Sequence, residues 1–283
     1  MTEPEFDPVI ARLLCGELTR QLREVAQIDP GTAERRLREL SSNFYATKLP
    51  KIESGVIGPS ETDVRAMISL YDVTVERAEQ LKALARDARR RAKPGKAAGA
   101  RDHLYLSLER HASEIRMAYN EIPGLAQTQE YAYAALSASP TVASSTVPAL
   151  AAERAARGRS IIRPGGPRVW MVLGEDSLYR SSGGPDVLVR QLEHLRSLTR
   201  LPNIALRIVT RDAGNVAALS AGFTLLHTAE GLSFAYVTTP LKGDYVKAEE
   251  TFTAIFENAW EHAASEAASA AILNGRISDH HDS

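Results

Sequence analysis

The spacing of apolar residues changes its period along this chain, and that change constrains the fold more than any other feature. Residues 8–27 carry one apolar helical stripe, and shorter helical stripes follow to about residue 85; the first stripe consists of Ile10, Leu14, Leu18, Leu22 and Val25. Four later segments are instead short and rich in β-forming residues, namely RVWMVLG (168–174), IALRIVT (204–210), GFTLLH (222–227) and LSFAYVTTP (232–240). We therefore predict an α+β fold, with an N-terminal all-α domain followed by a mixed α/β C-terminal domain.

A basic, Ala- and Gly-rich segment, RDARRRAKPGKAAGAR (86–101), separates the two patterns. It predicts a helical domain over 8–90, a basic linker over 91–102, a C-terminal domain over 103–275 and a frayed tail over 276–283. The linker is either a solvated connection or a basic arm that also contacts phosphates. Within the C-terminal domain we expect three to five strands and several helices, the helices at 103–120, 128–138, up to about Arg159, 185–201 and 247–273.

Composition and motifs exclude several classes of function. The single cysteine, Cys15, cannot form an intramolecular disulfide and fits a reducing cytoplasm. No apolar run approaches the roughly 20 residues of a membrane span, so we expect a cytoplasmic protein with no membrane partner. His111, His194 and His262 lack metal-ligand spacing, and no nucleophile or phosphate-loop motif is present. We expect no enzymatic activity, no catalytic residue, no metal and no cofactor.

The segment YATKLPKIESG (45–55) predicts a short helix that ends near Gly55. A proline inside a helix costs about 3 kcal/mol, but the first turn is exempt from the missing hydrogen bond because its N–H groups have no helical acceptor. Pro50 is therefore tolerated if Thr47 is the N-cap and the helix begins near Lys48. A recognition helix contacts DNA mainly through its N-terminal residues. The candidate DNA contacts are Tyr45, Thr47, Lys48 and Lys51, and the alternative is that the two lysines are only solvated.

The segment IPGLAQT (122–128) has two interpretations. Pro123 and Gly124 end one helix, and Thr128 can cap the next, which makes the segment a corner between two helices. Alternatively, it forms a surface or pocket for a partner or ligand. The residues of that surface would be Leu125, Gln127, Thr128 and Tyr131.

Two stretches carry a resemblance to a known family. ATKLPKIESGVIGPSETDVRAMISLYDV (46–73) resembles the recognition-helix region of the lambda-repressor-like (XRE) helix-turn-helix regulators of actinobacteria, with Lys48, Ile52, Glu53 and Gly55 on the "SK…RIE.G" core. IPGLAQTQEYAYAAL (122–136) is similar to the Val-Pro-Gly-Leu-Leu-Gln-Thr…Tyr-Ala signature in the C-terminal domain of the same regulators. The resemblance extends from about residue 10 to residue 273.

The resemblance implies a dimeric transcriptional regulator that binds double-stranded DNA. Its C-terminal domain would dimerise and receive a small partner protein encoded nearby, or a ligand, as antitoxin-like members of the family do. Two features depart from the family pattern: Pro50, and extra residues in the turn at 38–43. They leave open an alternative function, a protein-interaction adaptor or antitoxin-like protein that has lost specific DNA reading. For the dimer contact we expect the edge of strand 232–240.

Overall fold

The computed structural model describes residues 8–90, 103–229, 231, 233–238, 243–246 and 249–281. The chain divides into two compact units, Met1–Gly95 and Lys96–Ser283, which we call the N-terminal and C-terminal units. The basic linker predicted at 91–102 lies outside the described residues. The first unit is helical and the second contains a sheet with helices, so the predicted α+β fold class is confirmed.

The described part of the N-terminal unit forms five helices, α1 Pro8–Val25, α2 Pro30–Leu40, α3 Lys48–Glu53, α4 Glu61–Leu70 and α5 Val75–Ala88. Three of them begin at side-chain caps, because Asp29, Ser60 and Thr74 each accept a backbone N–H from the first helical turn. The predicted α1 stripe is buried from Ile10 to Leu22. Val25 departs from it and is 83% exposed, since the helix ends at that residue.

Helix α1 approaches the end of α3 more closely than an ordinary side chain would allow. A Cβ atom on Gly16 would overlap the carbonyl oxygen of Ile52 and lie 2.8 Å from that of Glu53. Both obstacles are backbone atoms, so they cannot move without moving α3 itself. Gly16 therefore sets the depth at which α3 packs on α1.

We expect Gly16→Ala to lower the free energy of unfolding by about 2 kcal/mol, because overpacking outweighs the better helix propensity of alanine. Gly31→Ala in α2 is the matched control, since the nearest atom to its Cβ is a side-chain oxygen of Asp29 at 3.3 Å. That variant should stay within about 1 kcal/mol of the parent. Urea unfolding followed by circular dichroism measures both. Equal stability of the two variants would show that the close approach of α1 and α3 does not exist in solution.

The described part of the C-terminal unit contains a six-stranded sheet in the order β3-β2-β1-β4-β5-β6. The strands are β1 Ala112–Tyr119, β2 Arg168–Gly174, β3 Ile204–Val209, β4 Phe223–Thr228, β5 Ser233–Thr238 and β6 Gly243–Val246. Strands β1, β2 and β3 are parallel to each other, whereas β4 to β6 form an antiparallel meander that joins the sheet through β1. The expected number of three to five strands was therefore too low.

Within the described ranges six helices surround this sheet: α6 His103–His111, α7 Gln129–Ser137, α8 Val147–Ile161, α9 Pro185–Leu198, α10 Glu249–His262 and α11 Glu266–His281. Helices α7 and α8 connect β1 to β2, and α9 connects β2 to β3, as parallel strands require. On one face of the sheet, Phe256 and Ala259 of α10 are buried against Val172, Leu225 and Ala235. Phe252 and Ile255 of the same helix pack against this cluster.

Several further sequence predictions in this unit are wrong. The helix predicted over 103–120 ends at His111, and the chain continues directly into β1 in the middle of the sheet. No Gly or Pro separates the two elements, so the sequence offers no boundary signal. The strand 232–240 was expected to have a free edge, but β5 lies between β4 and β6.

Two more corrections concern the C-terminal helices. The single helix predicted over 247–273 is two helices, because the chain turns between α10 and α11 to bond with β3. Ala264 donates its N–H to the carbonyl of Ile208 at 2.9 Å, and the hydroxyl of Ser269 accepts the N–H of Ile208 at 2.9 Å. The tail predicted at 276–283 is helical to His281, and Ile277 is buried within it. No helix in the described ranges has the length and apolarity needed to cross a membrane.

Candidate functional site

Helix α3 begins as the sequence predicts. Thr47 is its N-cap, Lys48 its first residue and Pro50 its third, so the N–H that proline lacks would have had no helical acceptor. The helix has 6 residues and is followed by Gly55, whose φ of +71° requires the left-handed region that glycine adopts freely. Leu49 and Ile52 are fully buried and anchor the inner side of this short helix.

Thr47 occupies a strained backbone conformation. Its φ is 69°, in the left-handed region that β-branched residues avoid, and its side chain makes no capping hydrogen bond. Its backbone N–H donates instead to the carboxylate of Glu34 on α2, with an N–Oε2 distance of 3.0 Å. This hydrogen bond to α2 stabilises Thr47 in a backbone conformation that a β-branched residue disfavours, and so it fixes the start of α3.

Lys48 is buried, although we predicted that it faces DNA. Its Nζ lies 2.7 Å from Oδ2 of Asp63 at the start of α4 and donates to the carbonyl of Asn43 at 2.8 Å. The Asp63 side chain is fully buried and also accepts hydrogen bonds from Ser60 and Ser41. Lys48 therefore fastens α3 to α4, and we remove it from the candidate DNA contacts.

The environment of Asp63 favours the charged carboxylate. Burial alone raises the pKa of Asp63, but the hydrogen bonds from Lys48 and Ser60 outweigh burial, and the pKa lies below its ordinary value. A carboxyl group with a depressed pKa contributes stability above its ordinary pKa and loses that contribution as the pH falls through the folded-state value.

The opposite end of α3 is held by a second ion pair. Glu53 accepts two hydrogen bonds from the Arg23 guanidinium of α1, Nε–Oε1 at 2.7 Å and Nη2–Oε2 at 3.1 Å. Arg23 also donates to the carbonyl of Ile28, at 3.1 Å, beyond the end of α1. The pKa of Tyr71 is raised, mainly because its hydroxyl is buried and to a smaller extent because the Glu53 carboxylate lies nearby. Helix α3 is thus fixed to α4 at its start and to α1 at its end.

The outer side of this region forms a basic surface, which we call the α2–α3 surface. Tyr45, Thr47, Pro50 and Lys51 are exposed, and the Lys51 Nζ lies 5.4 Å from the centre of the Tyr45 ring. Helix α2, which contacts α3, carries three further exposed arginines, namely Arg35, Arg36 and Arg38. Within the described part of the chain, neither Lys51 nor any of these three arginines makes an ion pair. Their charges are therefore available to bind an external anion.

The IPGLAQT segment is a buried corner, as in the first of its two interpretations, but it joins strand β1 to helix α7 and not one helix to another. Leu125, Gln127 and Tyr131 are between 2% and 7% exposed, so they form no open surface for a partner. The Gln127 amide donates to the carbonyl of Ile122 and accepts from Arg154, both at 2.8 Å. Each polar atom of this side chain is therefore used inside the unit.

A second buried amide completes the corner. Gln191 of α9 accepts the backbone N–H of Thr128 and donates to the carbonyl of Ala126, both at 2.7 Å. The Thr128 hydroxyl accepts the N–H of Tyr131 and so caps α7. These bonds join the segment to α7 and α9, and they satisfy the backbone groups that a corner leaves without helical partners.

A polar cleft that we did not predict from the sequence lies at the carboxyl ends of the three parallel strands. Asn120 follows β1, Glu175 and Asp176 follow β2, and Thr210 and Arg211 follow β3. The cleft has a volume of about 520 Å³, and its remaining lining comes from the strand ends and the chain after β3, namely Gly174, Val209, Gly214, Asn215, Val216, Leu219 and Ser220. Because a helix was predicted over β1, we did not expect the carboxyl ends of three strands to lie side by side. Polar residues directly after successive strands were the signal that could have found it.

No cluster of three or more His, Cys, Asp or Glu side chains with metal-binding geometry occurs within the described ranges. The three histidines weighed in the sequence lie on separate helices, α6, α9 and α10. His111 and His262 each bond to a carbonyl of their own helix, of Ser107 and Asn258 respectively. Burial lowers the pKa of His194.

We expect Lys48→Met to lower the free energy of unfolding by about 3 kcal/mol, because it leaves the buried Asp63 carboxylate without its cation. Lys51→Met is the matched control: this lysine is exposed and has no carboxylate partner among the described residues, so its replacement should cost less than about 0.5 kcal/mol. Urea unfolding at neutral pH measures both variants. Similar values for the two lysines would contradict the buried ion pair.

The pH dependence of the pair provides a second measurement. Asp63→Asn should destabilise the unit at neutral pH, and its difference from the parent should shrink below about pH 4, where unfolded aspartate becomes protonated. The sign follows from the depressed pKa of Asp63. A difference that stays constant from neutral to acidic pH would show that the carboxylate charge does not stabilise the fold.

The comparisons with known proteins concern mainly the C-terminal unit. A family model described as "Domain of unknown function (DUF5753)" matches residues 103–275, more than half of the chain. The match begins with α6, contains the whole sheet and ends within α11, and it does not extend to the N-terminal unit. Searches of curated proteins and of solved structures found no match. The chain therefore belongs to the DUF5753 family.

Proposed function

We propose that this protein is a DNA-binding transcriptional regulator of the helix-turn-helix (XRE) type, and that its DUF5753 unit dimerises and receives a small partner protein or ligand. One observation carries the proposal: α3 is fixed at both ends by buried ion pairs, while the α2–α3 surface beside it presents unpaired cations. A recognition helix needs both features, a rigid position and a face that attracts phosphates. The sequence resemblance of residues 46–73 supports the same function.

The composition of the surface suggests how it binds. Arg35, Arg36 and Arg38 are suited to phosphate contacts, which fix the position of a protein on the duplex without reading sequence. Thr47 and Lys51 are exposed polar residues at the N-cap and the fourth position of α3, and proteins of this class contact bases mainly from the N-terminal part of the recognition helix. Because α3 has only 6 residues, few side chains reach the groove, and we propose that phosphate contacts supply most of the affinity.

We expect Lys51→Gln to weaken binding to duplex DNA and to reduce the slope of log K against log salt by about 0.9, the amount that one lysine–phosphate contact contributes. Fluorescence anisotropy of the full chain on a labelled duplex, titrated at several salt concentrations, measures the slope. Lys82→Gln is the matched control, because Lys82 lies on α5 and pairs with Glu79 at 2.8 Å. An unchanged slope for Lys51→Gln would place this lysine outside the interface.

The proposed regulator acts as a dimer, since helix-turn-helix proteins gain affinity when two modules bind half-sites about one helical turn apart. We propose that the C-terminal unit supplies the contact. Strand β6 stands at the edge of the sheet, whereas β3, at the other edge, is bonded at Ile208 by Ala264 and Ser269. Pairing of β6 with its copy would extend the sheet across a two-fold axis.

We expect multi-angle light scattering of the full chain to give about twice its monomer mass of 30.8 kDa. Asp244→Pro should convert the dimer to monomer, because proline within β6 removes a backbone donor and disfavours strand pairing. Gly275→Ala in α11 is the control, since nothing lies within 4 Å of the position of its Cβ. A monomeric parent, or a variant at Asp244 that stays dimeric, would contradict dimerisation through β6.

A protein-interaction adaptor is the second candidate function, and the apolar surface of the N-terminal unit favours it. Val25, Leu40, Tyr45 and Val56 are between 47% and 83% exposed, so a partner protein could bury them. In addition, seven residues (41–47) separate α2 from α3, more than the tight turn of helix-turn-helix proteins. Absence of salt-dependent DNA binding by the full chain would favour the adaptor over the regulator.

A further inference from the structure

The cleft at the carboxyl ends of β1, β2 and β3 has the position of a ligand site. The ends of these strands are in register, because Tyr119 pairs with Leu173 and Gly174 pairs with Val209. In open α/β sheets, ligands bind outside the carboxyl ends of the strands where the strand order reverses. The order β3-β2-β1 does not reverse, and here it is the loops after the three strands that bring polar side chains together. The cleft volume of about 520 Å³ lies within the range of small-molecule pockets.

One amide in the cleft has space only because of a glycine. The Asn120 side chain lies so close to the backbone of Gly174 that a Cβ atom there would overlap its Oδ1 atom. No residue within the described ranges forms a hydrogen bond with this half-buried amide. Asn120 can therefore give both a donor and an acceptor to a bound molecule.

The charges in the cleft decide which ligands it favours. Arg211 is the single cation in the lining, and its Nε donates to Oδ1 of Asp176 at 2.7 Å, so its charge is already neutralised. Glu175 is half-buried and receives only neutral donors, the backbone N–H of Arg211 at 3.0 Å and the hydroxyl of Tyr179 at 3.4 Å. Among the described residues no cation forms an ion pair with Glu175. Arg211 also interacts with the charge of Glu175, so the three charged side chains of the lining, Glu175, Asp176 and Arg211, together carry one net negative charge.

The rest of the lining has an apolar wall and a polar rim. Val209, Val216 and Leu219 form one wall, and Asn215 and Ser220 add exposed polar groups at the rim. An anion would meet the Glu175 carboxylate with no free cation to offset it. A cation that also carries hydroxyl groups would match both the carboxylate and the neutral amides.

We propose that this cleft binds a small polyhydroxylated primary amine, with the ammonium group at Glu175 and hydroxyl groups at Asn120 and Asn215. Its role as the signal input of a regulator rests on the function proposed above, but the binding itself does not. The site lies within the C-terminal unit, and binding is measured without DNA. Failure of the amine to bind is therefore distinct from failure of the protein to bind DNA.

Glucosamine and glucose form a matched pair of probes, because they differ by an ammonium group in place of one hydroxyl. We expect a titration of the full isotope-labelled chain with glucosamine, followed by ¹H–¹⁵N NMR at constant ionic strength, to shift the backbone amides of residues 174–176 and 214–216. Glucose should bind about tenfold more weakly, since it lacks the charge-assisted hydrogen bond to the carboxylate. Equal affinity of the two sugars, or shifts confined to other residues, would overturn the proposal.

Two variants and one control variant connect the preference for the amine to the cleft. Glu175→Gln removes the charge but keeps the shape, so it should abolish the difference between glucosamine and glucose. Glu261→Gln changes an exposed carboxylate of α10 outside the cleft and should preserve that difference. Asn215→Trp places a large ring at an exposed rim position and should block both probes without disturbing the core. A preference for the amine that survives Glu175→Gln, or binding that survives Asn215→Trp, would contradict this site.

Discussion

The N-terminal unit depends on the ion pair between Lys48 and Asp63. A helix of 6 residues has no stability of its own in water, because it forms too few hydrogen bonds to offset the cost of nucleation. Its position must come from tertiary contacts, and the buried Lys48–Asp63 pair supplies the contact at its start. Asp63 also closes the capping box of α4, so a single carboxylate fixes the beginning of two helices.

The other contacts of α3 are arranged around that pair. Glu53 and Arg23 hold the end of the helix, and Gly16 lets the backbones of α1 and α3 approach without a side chain between them. The left-handed backbone of Thr47 is tolerated because Glu34 accepts its N–H. Three neighbouring helices, α1, α2 and α4, therefore define the orientation of a segment that has no stable conformation alone.

The rules for helix termini predicted the bounds of α3 well, but they did not predict its contacts with residues that are distant in the sequence. The start of α3 at Lys48, the third position of Pro50 and the end near Gly55 all follow from the chemistry of helix termini. The burial of Lys48 does not, because its partner Asp63 lies 15 residues away on another helix. In the C-terminal unit, β1 was missed for the same kind of reason: its place in the sheet is set by β2 and β4, and the polar cleft at its end was missed with it.

The two lysines of α3 have different environments: the charge of Lys48 is paired inside the unit, whereas the charge of Lys51 is exposed to solvent. Both ammonium groups lie near the Tyr45 ring, at 5.5 Å for Lys48 and 5.4 Å for Lys51. Lys48 is nevertheless enclosed by Asp63 and Asn43, whereas Lys51 remains exposed. The ring favours a cation in both places without competing for hydrogen bonds. Rigidity and outward charge, the two requirements of a surface that binds an anionic polymer, are therefore met by residues only three positions apart.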